Sequence, residues 1–302
     1  MRIYSITGNL SLIDIEPAIP GFAGFIGTYV IRGKTIALID VGPSSSFLNL
    51  LQALETLTIK PDEVSYILLT HIHIDHAGGI GTAVRHLPQA KVLVQELGKK
   101  HLINPERLWE GSKKALGELA EKYGEIEPTP EERIAVVTEG NTIDLGEGMA
   151  LRVLSTPGHA RHHLSFLETK ESRLFAGEAA GVYTGAVLRP STPPPFDLDQ
   201  ALTSLDKLTS LEPASLCYGH FGCAEDAPGR LRSHKEQLKL WSETIAECWQ
   251  GGADIEEIYS EIAHRDEGLK RLENLPSEQY QRERYFVLNS IKGFMDYFSA
   301  RG

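Results

Sequence analysis

Through the first 222 residues, short apolar runs rich in β-branched residues are cut by clusters of Gly, Pro, Ser and Asn. This is the pattern of strands separated by turns. The runs 3–6, 10–15, 25–31 and 35–39 predict four strands in quick succession, with Gly33-Lys34 as a hairpin turn between the last two. Asp40-Val41-Gly42-Pro43 ends that series, and Ser44 to Ser46 predict the cap of a helix running through Leu57. Further strands are predicted at 64–69, 91–94, 134–137, 142–145, 150–154, 164–167, 173–176 and 214–218. Helical spacing of leucines marks 96–123 and 197–211, and the acidic, proline-bearing stretch 124–132 reads as an exposed connector. Beyond Pro228 the period changes to that of helices, at 230–249, 254–264 and 278–298, with no strand signal. The boundary falls at 224–229, giving a strand-rich region 1–225 and a helical region 226–302.

Chemistry gathers where predicted strands end. The run 64–69 delivers His71, His73, Asp75 and His76, followed by Gly78-Gly79 and a helical pattern. In extended backbone His71 and His73 face the same way, because side chains alternate with period two. Where the chain curls into the helix, Asp75 and His76 aim at a second point. Four ligand-type side chains in six residues suit one or two divalent cations, and an ordinary exposed loop gives little reason for such a cluster behind a buried strand. Three later strands end likewise, in Thr156-Pro157-Gly158-His159, in Gly177-Glu178 and in Gly219-His220. Clustered imidazoles with few carboxylates suit Zn²⁺, Fe or Mn²⁺; Ca²⁺ or Mg²⁺ would call for mostly oxygen donors.

His71-x-His73-x-Asp75-His76 resembles the signature of the metallo-β-lactamase-fold hydrolases, which include glyoxalase II-type thioesterases, lactonases and RNA-processing nucleases. The resemblance covers most of residues 1–222. It implies an α+β fold, a four-layer αββα sandwich of two packed mixed sheets flanked by helices, here with an all-helical C-terminal appendage. It also implies a site of two metal ions, most simply Zn²⁺: His71, His73 and His159 on one, Asp75, His76 and His220 on the other, and Glu178 between them. Glu178 departs from the family's usual Gly-Asp, and its extra methylene changes how its loop must sit. Asp40 matches an Asp-x-Gly that orients the metal loop. His163 matches a position that supports the site without binding metal, and His162 has no counterpart. Asp75 and Glu178 are the expected catalytic carboxylates. Such an ion pair, about 3.5 to 4 Å apart, lowers the pKa of a bridging water to about 7, so the implied reaction is hydrolysis by direct water attack. The absence of a Gly-x-Ser-x-Gly motif agrees.

The formal net charge of −11 argues against phosphate backbones and anionic lipid as partners, and favours a small acyl substrate, an ester, thioester or lactone. Two other readings stand beside it. One is a phosphodiesterase or ribonuclease of the same fold, which needs a positive groove. The other is an iron-dependent redox protein of the sulfur dioxygenase type, with Cys217 or Cys223 near the mouth. The three cysteines lack CxxC spacing, no signal peptide opens the chain and no run reaches membrane-span length, so a cytoplasmic protein is expected. The segment 96–132 is expected to pack over one edge of the site. Tyr183 is either a phenol near the reacting oxygen or an apolar plate in the packing, and Lys235, Lys239, Arg265, Lys270 and Arg271 are either ordinary exposed helix charge or anchors for an anionic substrate group. The apolar closing helix predicts burial against the body or, in a homodimer, against a partner subunit.

Overall fold

The β-branched runs pair into two sheets, and the helical segments cover their outer faces. A computed structural model describes residues 1–185 and 187–301. The chain opens with β1 (Arg2–Thr7), β2 (Leu10–Asp14), β3 (Gly27–Arg32) and β4 (Ile36–Ile39), then α1 (Phe47–Thr56) and β5 (Val64–Leu68). Next come two short helices, α2 (Ile74–Ala77) and α3 (Ile80–His86), and β6 (Lys91–Val94). Three helices, α4 (Glu96–Ile103), α5 (Glu106–Leu116) and α6 (Glu118–Tyr123), separate it from β7 (Ile134–Val136). The second half runs β8 (Thr142–Gly146), β9 (Met149–Ser155), β10 (Leu164–Glu168), β11 (Arg173–Gly177), β12 (Val182–Tyr183) and β13 (Leu188–Arg189). It continues through α7 (Leu198–Ser210), β14 (Ser215–Tyr218) and β15 (Cys223–Glu225) to α8 (Ala227–Gln250), α9 (Ile255–Arg265) and α10 (Ser277–Ser299).

One sheet holds β1 to β7 in sequence order, and the other has the order β15-β14-β11-β10-β9-β8. Both are mixed. In the first, β1 to β4 are antiparallel and β4 to β7 parallel; in the second, only β11 and β14 pair in parallel. Leu68, Leu151, Val153, Phe166 and Phe175 fill the space between the sheets. Phe47, Leu50 and Ile80 pack helices α1 and α3 onto the outer face of the first sheet. On the second sheet's outer face, Leu205 of α7 shares one core with Trp241, Ile258 and Phe294 of α8, α9 and α10. Each such side chain removed from water contributes roughly 1.5–3 kcal/mol. The helices after Asp226 therefore form, with α7, the fourth layer, and the apolar face of α10 is buried against the body of its own chain.

Two local expectations need correction. Ser46 stands at the start of α1 with no side-chain capping bond, and its hydroxyl is buried without a partner. The stretch 124–132 is not an exposed connector: Ile126 and Thr129 are buried, and the Thr129 N–H donates to the Leu102 carbonyl at 2.8 Å. It lies so close to α3 that a Cβ on Gly81 would stand 2.2 Å from the Glu127 carbonyl oxygen. Glu125, Glu131 and Glu132 remain exposed while the backbone runs against α3 and α4. The loop after β13 meets α10 still more tightly, since a Cβ on Gly293 would stand 1.6 Å from the Thr192 carbonyl oxygen. Only glycine lets that helix approach the loop, which borders the site. No helix among the described residues is long and apolar enough to cross a membrane.

Candidate metal centre

All seven sequence-predicted ligands meet at one rim, where β5, β9, β11 and β14 end. His71, His73, His159 and Glu178 form one group of donor atoms within 4.8 Å of one another, and Asp75, His76 and His220 form a second. His73 is the last extended residue before α2, so His71 and His73 share a side and Asp75 and His76, in the first helical turn, share another. Glu178 joins the two groups. Its Oε2 lies 3.0 Å from His159 Nε2 and 3.1 Å from His71 Nε2, and its Oε1 lies 3.2 Å from His220 Nε2. The longer side chain is thus accommodated with both oxygens facing ligands.

Each of four imidazoles is held by its other nitrogen. His76 Nδ1 faces Asp40 Oδ2 at 2.9 Å, His159 Nδ1 the Ser191 carbonyl at 2.9 Å and His220 Nδ1 the Phe25 carbonyl at 3.2 Å. His71 Nδ1 faces the Thr70 hydroxyl at 3.0 Å, and that hydroxyl donates to Asp40 Oδ2 at 2.8 Å. Asp40 Oδ1 accepts the Thr70 N–H, also at 2.8 Å. With Nδ1 engaged in His71 and His76, Nε2 is the nitrogen of each that faces the centre. Asp40 thus sets the tautomers of one ligand in each group. His163 does the work the resemblance implied, accepting the Glu178 N–H at 3.1 Å with one nitrogen and meeting Thr156 with the other. Gly177 is required beside it: its φ is +55°, and a Cβ there would stand 2.5 Å from His163 Nε2.

These residues fit a transition-metal ion. His71 Nε2 and His76 Nε2 are buried without a hydrogen-bond partner, and their approaches to Glu178 are off-line. A buried polar atom left unpaired costs about 1–3 kcal/mol unless something else binds it. Around an ion with bonds of about 2.1 Å, tetrahedral donors stand roughly 3.4 Å apart, close to the 2.9–3.1 Å separations within the first group. His71, His73 and Glu178 are already in the protonation states that ligation needs. Burial, then the neighbouring imidazoles, push the pKa of His71 and His73 well below the usual value, which keeps them neutral. Burial opposes charge on His76 too, but the carboxylates of Asp75, Asp40 and Glu178 raise it to about 10, so without an ion His76 is an imidazolium whose Nε2 proton a metal ion must displace. Burial works to raise Glu178, yet His159 and His220 hold it well below the carboxylate range, ionised as a ligand must be.

A sequence profile of the metallo-beta-lactamase superfamily matches residues 21–220. The chain belongs to this superfamily. It is 34% identical over 247 residues to the metallo-beta-lactamase fold-containing protein ST1585 of Sulfurisphaera tokodaii, an alignment covering 80% of this chain and 89% of that one. The crystal structure of ST1585, described as an archaeal metallo-beta-lactamase superfamily protein, superposes with a TM-score of 0.70 at 28% identity, over 95% of this chain and 98% of that one. The metallo-beta-lactamase family protein TTHA1429 of Thermus thermophilus has the same fold, with a TM-score of 0.70 over 99% of this chain and 95% of that one, at 23% identity. Superfamily members are generally hydrolases that bind divalent metals, and this chain carries the corresponding His/Asp/Glu group.

A cavity of about 480 Å³ opens over the metal-binding group, in the size range of small-molecule sites. As expected, the 96–132 segment forms one wall, with Leu97, Leu108, Leu116 and Tyr123. The opposite wall holds Phe286 and Asn289 of α10, which sequence reasoning did not place at the site. Arg189 also lines it, buried and paired with Glu283 at 2.5 Å. Glu283 holds Arg282 too, at 2.7 Å; Arg282 lies 4.0 Å over the Phe25 ring, and Phe25 packs on His220 at 4.4 Å. The C-terminal helix thereby buttresses His220, a candidate ligand at a distant strand end.

Several candidates lie elsewhere. The Tyr183 hydroxyl donates to the Gly185 carbonyl, and its ring packs on Tyr218 outside the cavity. Cys217 is buried between the sheets, and Cys223 meets the Tyr29 hydroxyl at 3.7 Å, so neither lines the mouth. Lys235, Lys239, Arg265 and Lys270 are engaged with Asp206, Glu236, Glu247 with Glu261, and Glu267 respectively, and Arg271 lines a separate surface hollow.

Proposed function

We propose that the protein is a dinuclear metallohydrolase that cleaves a small acyl substrate, an ester, thioester or lactone, by direct attack of water. One observation carries this reading: the two oxygens of Glu178 reach ligands of both groups while His71 Nε2 and His76 Nε2 stand bare between them. His71, His73 and His159 would hold one ion and Asp75, His76 and His220 the other, with Glu178 touching both. Bound there, two ions of the Zn²⁺ class supply an activated water at neutral pH and polarise the acyl oxygen.

The chain's own residues complete the chemistry. Of the two acidic ligands Asp75 has the greater side-chain exposure, 14% against 4% for Glu178, and it faces the cavity. It is placed to take the proton of the attacking water and return it to the leaving group. The Tyr123 hydroxyl is buried without a partner in the cavity wall. Burial, then Asp75, raise its pKa well above 10, so it stays a donor. It is the neutral group able to hydrogen-bond a developing oxyanion, the part first sought in Tyr183.

The bounded cavity under α4 to α6 supports a small substrate over a polynucleotide, and the distance of both cysteines from the mouth removes the feature on which the redox reading leaned. The test is metal analysis of protein purified without chelator, beside turnover of a thioester, a lactone and bis-p-nitrophenyl phosphate. Two equivalents of metal with preferential acyl cleavage support the proposal. Preferential phosphodiester cleavage, or iron with oxygen consumption, would replace it.

A further inference from the structure

The charges around the cavity are distributed unlike those of the molecule. The chain carries a net charge of −11, yet the carboxylates lining the cavity are Asp75 and Glu178, both committed to the metal-binding group. The cations lining it are Arg189, neutralised by Glu283, and Lys100, Arg107 and Arg161, which form no ion pair among the described residues. All three are exposed, on α4, on α5 and just beyond His159. Acidic residues do occur on the same helices, but Glu96, Glu106 and Glu110 lie outside the cavity lining. His101, on the last turn of α4, lines the mouth as well and registers the local field: after burial, Lys100 and Arg107 push its pKa down. Inside this rim the surface is apolar, built from Ile72, Leu97, Leu108, Leu116 and Phe286.

We propose that the cavity mouth binds an anionic group, carboxylate or phosphate, which the substrate carries at the far end of an apolar acyl body, and that Lys100, Arg107 and Arg161 hold it. This rests on the hydrolase reading and names the substrate class of the same site. The scissile carbonyl lies at the Glu178 end, the apolar body against the walls formed by α5 and α10, and the anion at the rim. Three exposed cations without partners each add a modest attraction for a bound anion, and the negative surface elsewhere directs anions to this opening.

The test compares zinc-loaded wild type with the Lys100→Ala/Arg107→Ala/Arg161→Ala triple variant. The substrates are aryl esters of matched length ending in methyl, in carboxylate or in phosphate. The wild type is expected to prefer an anionic ester, and the triple variant to lower the anionic-to-neutral ratio of kcat/KM by about tenfold or more, mostly through KM. Added salt should erode the wild-type preference and leave the variant's ratio flat. The carboxylate and phosphate arms show which anion is read. An unchanged ratio overturns the proposal while leaving the hydrolase reading intact. If no ester is cleaved, that reading fails, and calorimetric titration of the zinc-loaded proteins with glutarate and inorganic phosphate still decides the mouth. Weaker binding by the triple variant supports it; equal affinity, or no binding by wild type, overturns it.

Discussion

Asp40→Asn removes one charge and almost no volume, and its effect follows from the hydrogen bonds. Asp40 is buried, has φ +57° and accepts from the Thr70 N–H, the Thr70 hydroxyl and His76 Nδ1–H. Asn tolerates the left-handed conformation, so the backbone is unaffected. Its amide can place oxygen toward the Thr70 N–H, but then an NH₂ faces His76 Nδ1 and the Thr70 hydroxyl. With metal on Nε2, the proton His76 keeps on Nδ1 then points at a donor and that hydrogen bond is lost, and the Thr70 hydroxyl loses its acceptor and with it the grip on His71. Loss of such an orienting carboxylate costs about 10–100-fold in metal affinity, or about 1.4–2.7 kcal/mol. The loss should fall mainly on the ion held by Asp75, His76 and His220. The assay is competitive Zn²⁺ titration against a chromophoric chelator, resolving two sites, with denaturation of the metal-free proteins as a control for folding. Wild-type affinity at both sites in a folded Asp40→Asn variant would refute the tautomer argument.

Three further outcomes are expected. Glu283→Gln leaves Arg189 and Arg282 buried without a counter-charge and should cost about 3–5 kcal/mol in chemical denaturation; a loss below about 1 kcal/mol would show that the pair is not structural. His234 is buried on α8 with a pKa lowered to about 4, mainly by burial, against 6.5 when unfolded. The unfolded chain therefore binds the extra proton first, and this residue's contribution, intact above pH 6.5, is lost as pH falls toward 4, up to about 3 kcal/mol; His234→Gln should show a correspondingly shallower fall in stability between pH 7 and 4.5. Tyr123→Phe removes a hydroxyl with no partner in the free protein, so stability should hold or rise slightly while kcat falls by about 10²-fold; unchanged kcat would remove Tyr123 from the chemistry.

The longer strands and the candidate ligands were legible in sequence for the same reason, whereas β12, β13 and β15, of two or three residues each, left no apolar run to read. A buried apolar run followed by a tight turn announces both a strand and the point where its chemistry can sit, and His71 to His76, His159, Glu178 and His220 each follow such a run. What was not legible depends on which surfaces meet. The cations of the C-terminal helices are engaged by acidic neighbours, whereas Lys100 and Arg161, which no sequence signal singled out, reach the cavity without partners among the described residues. Tyr183, close to Glu178 in sequence, turns onto Tyr218, whereas Tyr123, 55 residues before Glu178 by their numbers, arrives through the packing of α6 on Phe22. Charge made 124–132 look exposed, because a segment that buries mainly its backbone and a few side chains leaves no apolar period to read. Likewise the contact between Gly293 and Thr192 has no local signal.

The central claim, that residues from four strand ends jointly hold two ions, is tested most directly by anomalous diffraction from crystals of protein purified without chelator, recorded across the absorption edge of the metal found by elemental analysis. The account predicts two peaks, one among His71, His73 and His159 and one among Asp75, His76 and His220, with an oxygen of Glu178 ligating each. A single peak, or a second ion that Glu178 does not touch, would contradict it.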